Sequence, residues 1–327
     1  MKKRAVTGLV AVVLLASIAG IGNAVSVARA ARQAAEKPCD RACLTTLVDT
    51  YLAAVVAHDT SKVQLAGDIR FVENVKRMKP GEGLWKTATA APTTFRIYVP
   101  DPVAQQVGFI GLMEAEGKPV EIGLRLKVVG GKIAEAEHIL ATVRETSLAK
   151  LKTPRMQLVT SVPEPYRDAR GRLLHIAAAY YDALDNNNGS LAPFADDCVR
   201  MENGMQTVRN AVPADPSQGF GLAGALGCAK QLDSNTFEYI DRIENRRVWI
   251  ADEENGLAIG FSHFRHPMTK KEFAVYGIPG QEVRKMPNQQ PFDMPAAHIF
   301  KIWGGQMHEI EAVGLVAPYG SATGWEE

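Results

Sequence analysis

Two stretches of the 327-residue chain hold a tyrosine and a glutamate at one spacing: Tyr51 with Glu73, and Tyr180 with Glu202. Tyr51–Asn74 and Tyr180–Asn203 align without a gap at an offset of 129, placing Asp68 on Asp197 and Glu73-Asn74 on Glu202-Asn203. A glutamate in an apolar setting has a raised pKa and exchanges protons near neutral pH. A buried phenol or imidazole donates to charge developing on a carbonyl, phenol or ether oxygen. The second stretch carries the fuller set, because His298 stands where the first copy has Leu124. Tyr181 and Asp182 follow Tyr180, and His263 shares an alternating run with Ile259 and Phe261. Together these groups support proton abstraction, elimination or water addition, with no metal and no cofactor required.

Each candidate has a structural reading beside the chemical one. Tyr51 and Tyr180 also fit an amphipathic helix, and Glu73 and Glu202 also fit loop caps or partners of arginine. A strand alternates faces, so a shift of one residue would turn Asn74 or Asn203 inward instead. His298 fits a structural histidine, and His58 fits a turn. His263, His266 and His308 are too loosely spaced for zinc. Glu135, Glu137, Glu309 and Glu311 share faces by alternation and read as solvated rows. GxSxG, GxxxxGK[ST], HExxH and a GxGxxG in βαβ context are absent from the sequence.

The elements that must position these groups also come in duplicate. Arg125–Glu137 (RLKVVGGKIAEAE) lies over Ile299–Glu311 (IFKIWGGQMHEIE) at an offset of 174. Each copy opens with a helical pattern, Cys43–Ala57 or Leu173–Leu184, followed by a polar turn, a second short helix and a strand ending at Glu73 or Glu202. Alternating runs follow, and Gly130-Gly131 and Gly304-Gly305 read as two-residue hairpin turns. Helices first and then an antiparallel sheet predicts an α+β fold built twice, each sheet curving around its helices. The expected units are 39–148 and 171–318, joined by a proline-bearing linker 149–170 in which Met156–Val162 could add a strand. Residues 204–236 read as an inserted loop, either a lid or surface decoration.

The Tyr-x-x-Ala helix, the polar turn near Asp59, the Asp68-to-Glu73 strand and the terminal Gly-Gly hairpin together resemble the SnoaL-like, or nuclear-transport-factor-like, superfamily of cone-shaped α+β domains. That superfamily includes ketosteroid isomerase, scytalone dehydratase, limonene epoxide hydrolase and lyases and ether-cleaving enzymes acting on lignin-derived aromatics, along with members that have no catalytic role. The resemblance implies that Tyr51 and Tyr180 occupy the position of an oxyanion donor, Glu73 and Glu202 that of the proton-moving carboxylate, and His298 that of a second oxyanion donor. It makes the second copy the expected reactive centre and the first a degraded or structural one. The implied activity is a cofactor-independent lyase or hydrolase acting on a hydrophobic, aromatic small molecule such as a lignin-derived aryl ether. The alternative is a non-catalytic ligand-binding or assembly module pairing through sheet faces, with the two copies as an internal pseudo-dimer or as part of a homo- or hetero-oligomer. Tandem exported chains opening with CxxxCL are similar as well.

Location follows from the first residues and the cysteines. Met1–Arg4 is basic, Ala5–Ile21 is apolar and uncharged, and Ala24 and Ala30 end small-x-Ala cleavage patterns, so residues 1–30 read as a signal peptide. Export implies a periplasmic or extracellular protein that lies off the membrane after cleavage. Cys39, Cys43, Cys198 and Cys228 then suggest two disulfides; of three connectivities, pairing by proximity predicts Cys39–Cys43 and Cys198–Cys228. With 46% hydrophobic residues and a net charge of +1, the chain has neither a disordered composition nor a nucleic-acid footprint. Four of the 37 basic residues and none of the 36 acidic ones fall in 1–30, so the remainder carries −3 and gives no general reason to expect anionic partners.

Overall fold

Helix α1 (Arg41–Val56) begins where the Asp40 carboxylate accepts a 2.9 Å hydrogen bond from the Cys43 amide, satisfying one of the free N–H groups of the first turn. The computed structural model describes residues 38–211 and 220–326, so the signal-peptide segment lies outside the described residues. Cys39–Glu327 forms one unit. After α1 the chain turns at His58 (φ 54°), and Asp59 caps a short 3-10 turn by accepting from both the amide and the hydroxyl of Ser61. The same device recurs 129 residues on. Helix α5 (Arg170–Asp185) ends, Asn187 takes φ 46°, and Asn188 accepts from the amide and hydroxyl of Ser190.

In the first half β1 (Leu65–Glu73), β2 (Lys76–Met78), helix α2 (Leu84–Thr87), β3 (Ala88–Ala90), β4 (Arg96–Asp101), β5 (Gln106–Ala115), β6 (Lys118–Val129) and β7 (Lys132–Thr142) follow. They form one sheet in the order β2-β1-β7-β6-β5-β3, with β4 also pairing β5. Short helices α3 (Glu145–Leu148) and α4 (Met156–Val159) lead to α5. The second half has β8 (Phe194–Glu202), β9 (Met205–Gln206), helix α6 (Cys228–Asp233), β10 (Arg242–Asp252), β11 (Leu257–His266), a hairpin β12 (Glu272–Ala274) and β13 (Val283–Lys285), β14 (Phe292–Trp303), β15 (Gln306–Gly314) and β16 (Ala317–Pro318). Its sheet order, β10-β11-β14-β15-β8-β9, repeats the first read from the other end, with the long β10 in the place of β3 and β4 and with β16 added on β14. In both sheets the first strand runs parallel to the last, β1 beside β7 and β8 beside β15. Gly130-Gly131 and Gly304-Gly305 occupy the equivalent turns with all four φ values positive, where a side chain would be strained. The fold is α+β, with two curved sheets each holding a helix against its concave face.

Each helix buries one side in its own sheet. Leu44, Val48, Tyr51, Leu52 and Val55 of α1 pack on Phe109, Ile122 and Leu124. Leu173, Ile176, Ala177, Tyr180 and Leu184 of α5 pack with Phe264, Phe300 and Ile310. The convex faces then pack on each other, Ile97, Ile110 and Ile139 against Ile259, Ile299 and Val313. Two glycines permit the close approach. A Cβ on Gly108 would lie 2.3 Å from Ile259 Cγ2, and one on Gly123 would lie 2.6 Å from Val313 Cγ1.

Two expectations are corrected here. Met156–Val162 adds no strand: Met156–Val159 is a helical turn, and the linker docks on the second half through Val162 N to Glu254 O (2.9 Å) and Arg155. The glutamate rows are not solvated faces. Glu137, Glu309 and Glu311 are buried, and Glu135 is mostly so, because alternation puts them on the faces that meet. Arg125 bonds Glu135 (2.8 Å) and Glu137 (3.3 Å), and Arg247 of the second half also reaches Glu137. The repeat has Ile299 in place of Arg125, so Arg155 of the linker supplies the charge instead, at 2.6 Å from Glu309 and 2.7 Å from Glu311. Both expected disulfides are present, and among the described residues no cysteine is free and no helix is long and apolar enough to cross a membrane.

Candidate functional site

The two concave faces treat the same residue types differently. In the first half Tyr51 Oη lies 2.9 Å from His138 Nε2, and His138 Nδ1 lies 3.0 Å from Glu73 Oε2. Glu73 also accepts from the Leu84 amide at 3.0 and 3.1 Å, where the chain enters α2. The carboxylate thus orients one ring nitrogen as a donor and leaves the other to accept from the phenol. Tyr51 is 1% and His138 0% exposed, and burial pushes the Tyr51 hydroxyl well up. The chain is closed, buried and saturated. His138 was not among the candidates of the sequence; the signal available was its place in the alternating run 132–142, on the face of Ala136.

In the second half the imidazole comes from the neighbouring strand. Register places Leu124, His138 and Glu73 side by side on β6, β7 and β1, and places His298, Ala312 and Glu202 side by side on β14, β15 and β8. Ala312 therefore stands where His138 bridges tyrosine to glutamate. The hydroxyl near the ring is that of Tyr181, 3.4 Å from His298 Nδ1, while the Tyr180 ring lies 5.4 Å from the imidazole centroid to centroid. Tyr181 needs Gly260, whose Cβ would fall 2.6 Å from its oxygen. Burial, with help from Arg200, pushes His298 down to about 3, so the ring is neutral at ordinary pH. Burial also raises Tyr180 and Tyr181.

Glu202 differs from its counterpart. It is half-buried, and no donor among the described residues bonds its carboxyl. Burial raises its pKa, and the Arg200 guanidinium opposes that rise. Arg200 is itself held by Thr207 and Gln231, both at 2.7 Å. With Ala312 between them, Glu202 and His298 are two strand spacings apart, roughly 10 Å along the sheet. A cleft of about 390 Å³ opens at this end of the second sheet, where Glu202, Met294 and Gly314 meet Arg144, Ser147 and Lys150 from the end of the first half.

The remaining candidates are placed as follows. Asn203 takes φ 48° and bonds Gly314 twice, 2.9 Å each way, extending the β8–β15 ladder, so its amide is spent on structure; Asn74 (φ 47°) accepts one bond, from the Leu140 amide at 2.8 Å. His263 shares the face of Ile259 and Phe261, as the alternation predicts, but that face meets the first half rather than α5. It sits 3.3 Å from Asp293, and burial lowers its pKa. Asp182 is 62% exposed at its side chain and pairs with Arg246 at 2.5 Å, outside the concave face. His58 is a turn residue whose Nδ1 meets the Trp85 carbonyl at 2.6 Å. No group of three or more metal-ligating side chains occurs among the described residues.

Residues 166–314 match a family model described as a domain of unknown function (DUF8021), which spans the second half. No curated protein matches. Solved structures similar to part of the chain include a candidate polyketide cyclase of Xanthomonas campestris pv. campestris, with 16% identity, TM-score 0.29, and coverage of 44% of this chain and 90% of that one. Another is a candidate polyketide cyclase of Silicibacter sp. TM1040, at 10% identity, TM-score 0.28, 44% and 88%. A third is a candidate hydroxylase of Streptomyces galilaeus, at 16% identity, TM-score 0.21, 38% and 92%.

Proposed function

We propose that the second half is the reactive centre of an exported, cofactor-independent enzyme that moves protons on a hydrophobic, aromatic small molecule by lyase or hydrolase chemistry, with Tyr180, Glu202 and His298 as its principal groups. One observation carries the reading. Replacing His138 by Ala312 removes the bridge that saturates Glu73 and leaves Glu202 half-buried, unpartnered and beside a cleft. A carboxyl with a raised pKa and no internal donor is available to take a proton from a bound molecule. Tyr180, Tyr181 and the neutral His298 are buried on the far side of Ala312 from Glu202 and do not line the cleft; in this reading an N–H or O–H of that group donates to an oxygen gaining charge. Tyr181 thereby joins the principal set, since its hydroxyl is the one in reach of the imidazole. In this reading the first half is a scaffold, its matching groups consumed by one another, and its convex face covers that of the second half. The non-catalytic alternative is favoured for the first half alone.

The test is a screen of the exported chain against aryl ethers and aromatic alcohols with product analysis, followed by Glu202→Gln. Loss of about 10²–10⁴-fold in rate is expected for a proton-transfer group. The melting temperature should hold, because the carboxyl has no bond to lose. Full activity in Glu202→Gln would remove Glu202 from the reaction.

A further inference from the structure

We infer that the cleft beside Glu202 takes a substrate bearing an acidic group, a small aromatic carboxylate, with Arg144 and Lys150 holding the anion. This rests on the reading of Glu202 as the reactive carboxyl and adds the charge of the molecule it acts on. Three observations converge. First, the cleft of about 390 Å³ has room for a single-ring molecule, and its walls are supplied by both halves: Arg144, Ser147 and Lys150 from one, Glu202, Met294 and Gly314 from the other.

Second, its cations are unspent. Arginines along the described chain are almost all tied to acceptors: Arg125 to Glu135 and Glu137, Arg155 to Glu309 and Glu311, Arg170 to Asp101, Arg246 to Asp182 and Asp185, Arg265 to Glu244 and Asp293. Among the described residues only Arg144 and Arg77 have a guanidinium that meets no acceptor, and Lys150 is likewise without one. Arg144 is the one that lines a cavity. A planar guanidinium presents paired donors that match a carboxylate.

Third, the cations outnumber the acids in the cleft. Glu202 is the sole acidic residue of its lining, against Arg144 and Lys150. Of the acids behind the cleft, Glu121, which feels the charge of Glu202, is fully buried, and Glu311 is already bound to Arg155. The site is therefore locally cationic in a chain whose residues beyond 30 sum to −3. Met294 and Gly314 give the ring an apolar wall.

The experiment is a titration of the full chain with benzoate and with its neutral counterpart, methyl benzoate, followed by ligand-observed NMR. Benzoate should bind roughly tenfold tighter than the ester, and the preference should shrink with added salt, as screening of exposed charge requires. Arg144→Gln/Lys150→Gln should bring the two ligands to parity. The control Lys62→Gln/Lys132→Gln removes the same net charge at the opposite strand ends and should leave the preference intact. Absence of saturable benzoate binding, equal affinities in the unaltered chain, or a preference that survives the cleft double variant would each overturn the proposal. The two readings fail separately. Turnover lost in Glu202→Gln with acid and ester bound equally keeps the reaction and discards the substrate class; an acid preference with undiminished turnover in Glu202→Gln does the reverse.

Discussion

Replacing Glu121 by methionine should stabilise the protein, and more at pH 8 than at pH 5. Glu121 lies on the convex face of β6, is 0% exposed, and has neither carboxyl oxygen bonded. Burial, then the charges of Glu311 and Glu202, hold its pKa well above the ordinary carboxylate value. Glu311 across the seam is pushed up to about 7, mainly by burial and further by Glu309, although Arg155 pulls it back. A folded-state pKa above the unfolded one means that the native state binds the extra proton. Stability is then fully present below about pH 4.5 and is lost as pH rises through the folded value. For Glu311 this cost is absent at pH 4 and complete above about pH 7. Glu121→Met keeps the length of the side chain, removes a neutral carboxyl buried without a partner (~1–3 kcal/mol) and also removes its deprotonation cost at higher pH. The gain at pH 5 should raise the melting temperature by roughly 2–5 °C, with a larger gain at pH 8. The residual slope between those pH values belongs to Glu311. Calorimetry of both proteins from pH 5 to 8 reads the effect. A lower melting temperature at pH 8, or an equal gain at both ends, would refute the account of the seam.

Non-reducing mass spectrometry of the purified chain should find no alkylatable thiol, and Cys198→Ser/Cys228→Ser should cost roughly 3–4 kcal/mol for a loop of 30 residues. Gly123→Ala should destabilise by about 1–3 kcal/mol, because its methyl meets Val313 and Ala297, whereas Gly67→Ala, with open space around it, should be near neutral in the same urea titration. Glu73→Gln should lower the melting temperature, since it weakens bonds to His138 and Leu84 worth about 1–3 kcal/mol, while leaving any activity within a few-fold. The opposite pattern, equal losses of activity from Glu73→Gln and Glu202→Gln, would mean two working sites.

What the sequence determined is local or repeated. Turn chemistry is written in adjacent residues, so Asp59-x-Ser61, Asn188-x-Ser190 and the two Gly-Gly hairpins were legible, and with them the order of elements and the doubling of the fold. Cysteine proximity was enough for both disulfides. Alternation correctly grouped Ile259, Phe261 and His263 on one face, and Glu309 with Glu311, but period alone does not say what the face meets. Only the tertiary structure decided that. The convex faces pack on each other, which buries the glutamates and calls in Arg247 and Arg155 from distant segments; a charge partner more than a hundred residues away leaves no mark on local spacing. The same limit hid His138. An imidazole one strand to the side serves the same tyrosine and glutamate in the first half, so the Leu124-for-His298 contrast looked like a lost group when the ring had moved across the sheet. Whether a glutamate is bridged or free depends on the residue beside it on the next strand, histidine in one copy and alanine in the other, and pairing between strands is a property of the folded sheet.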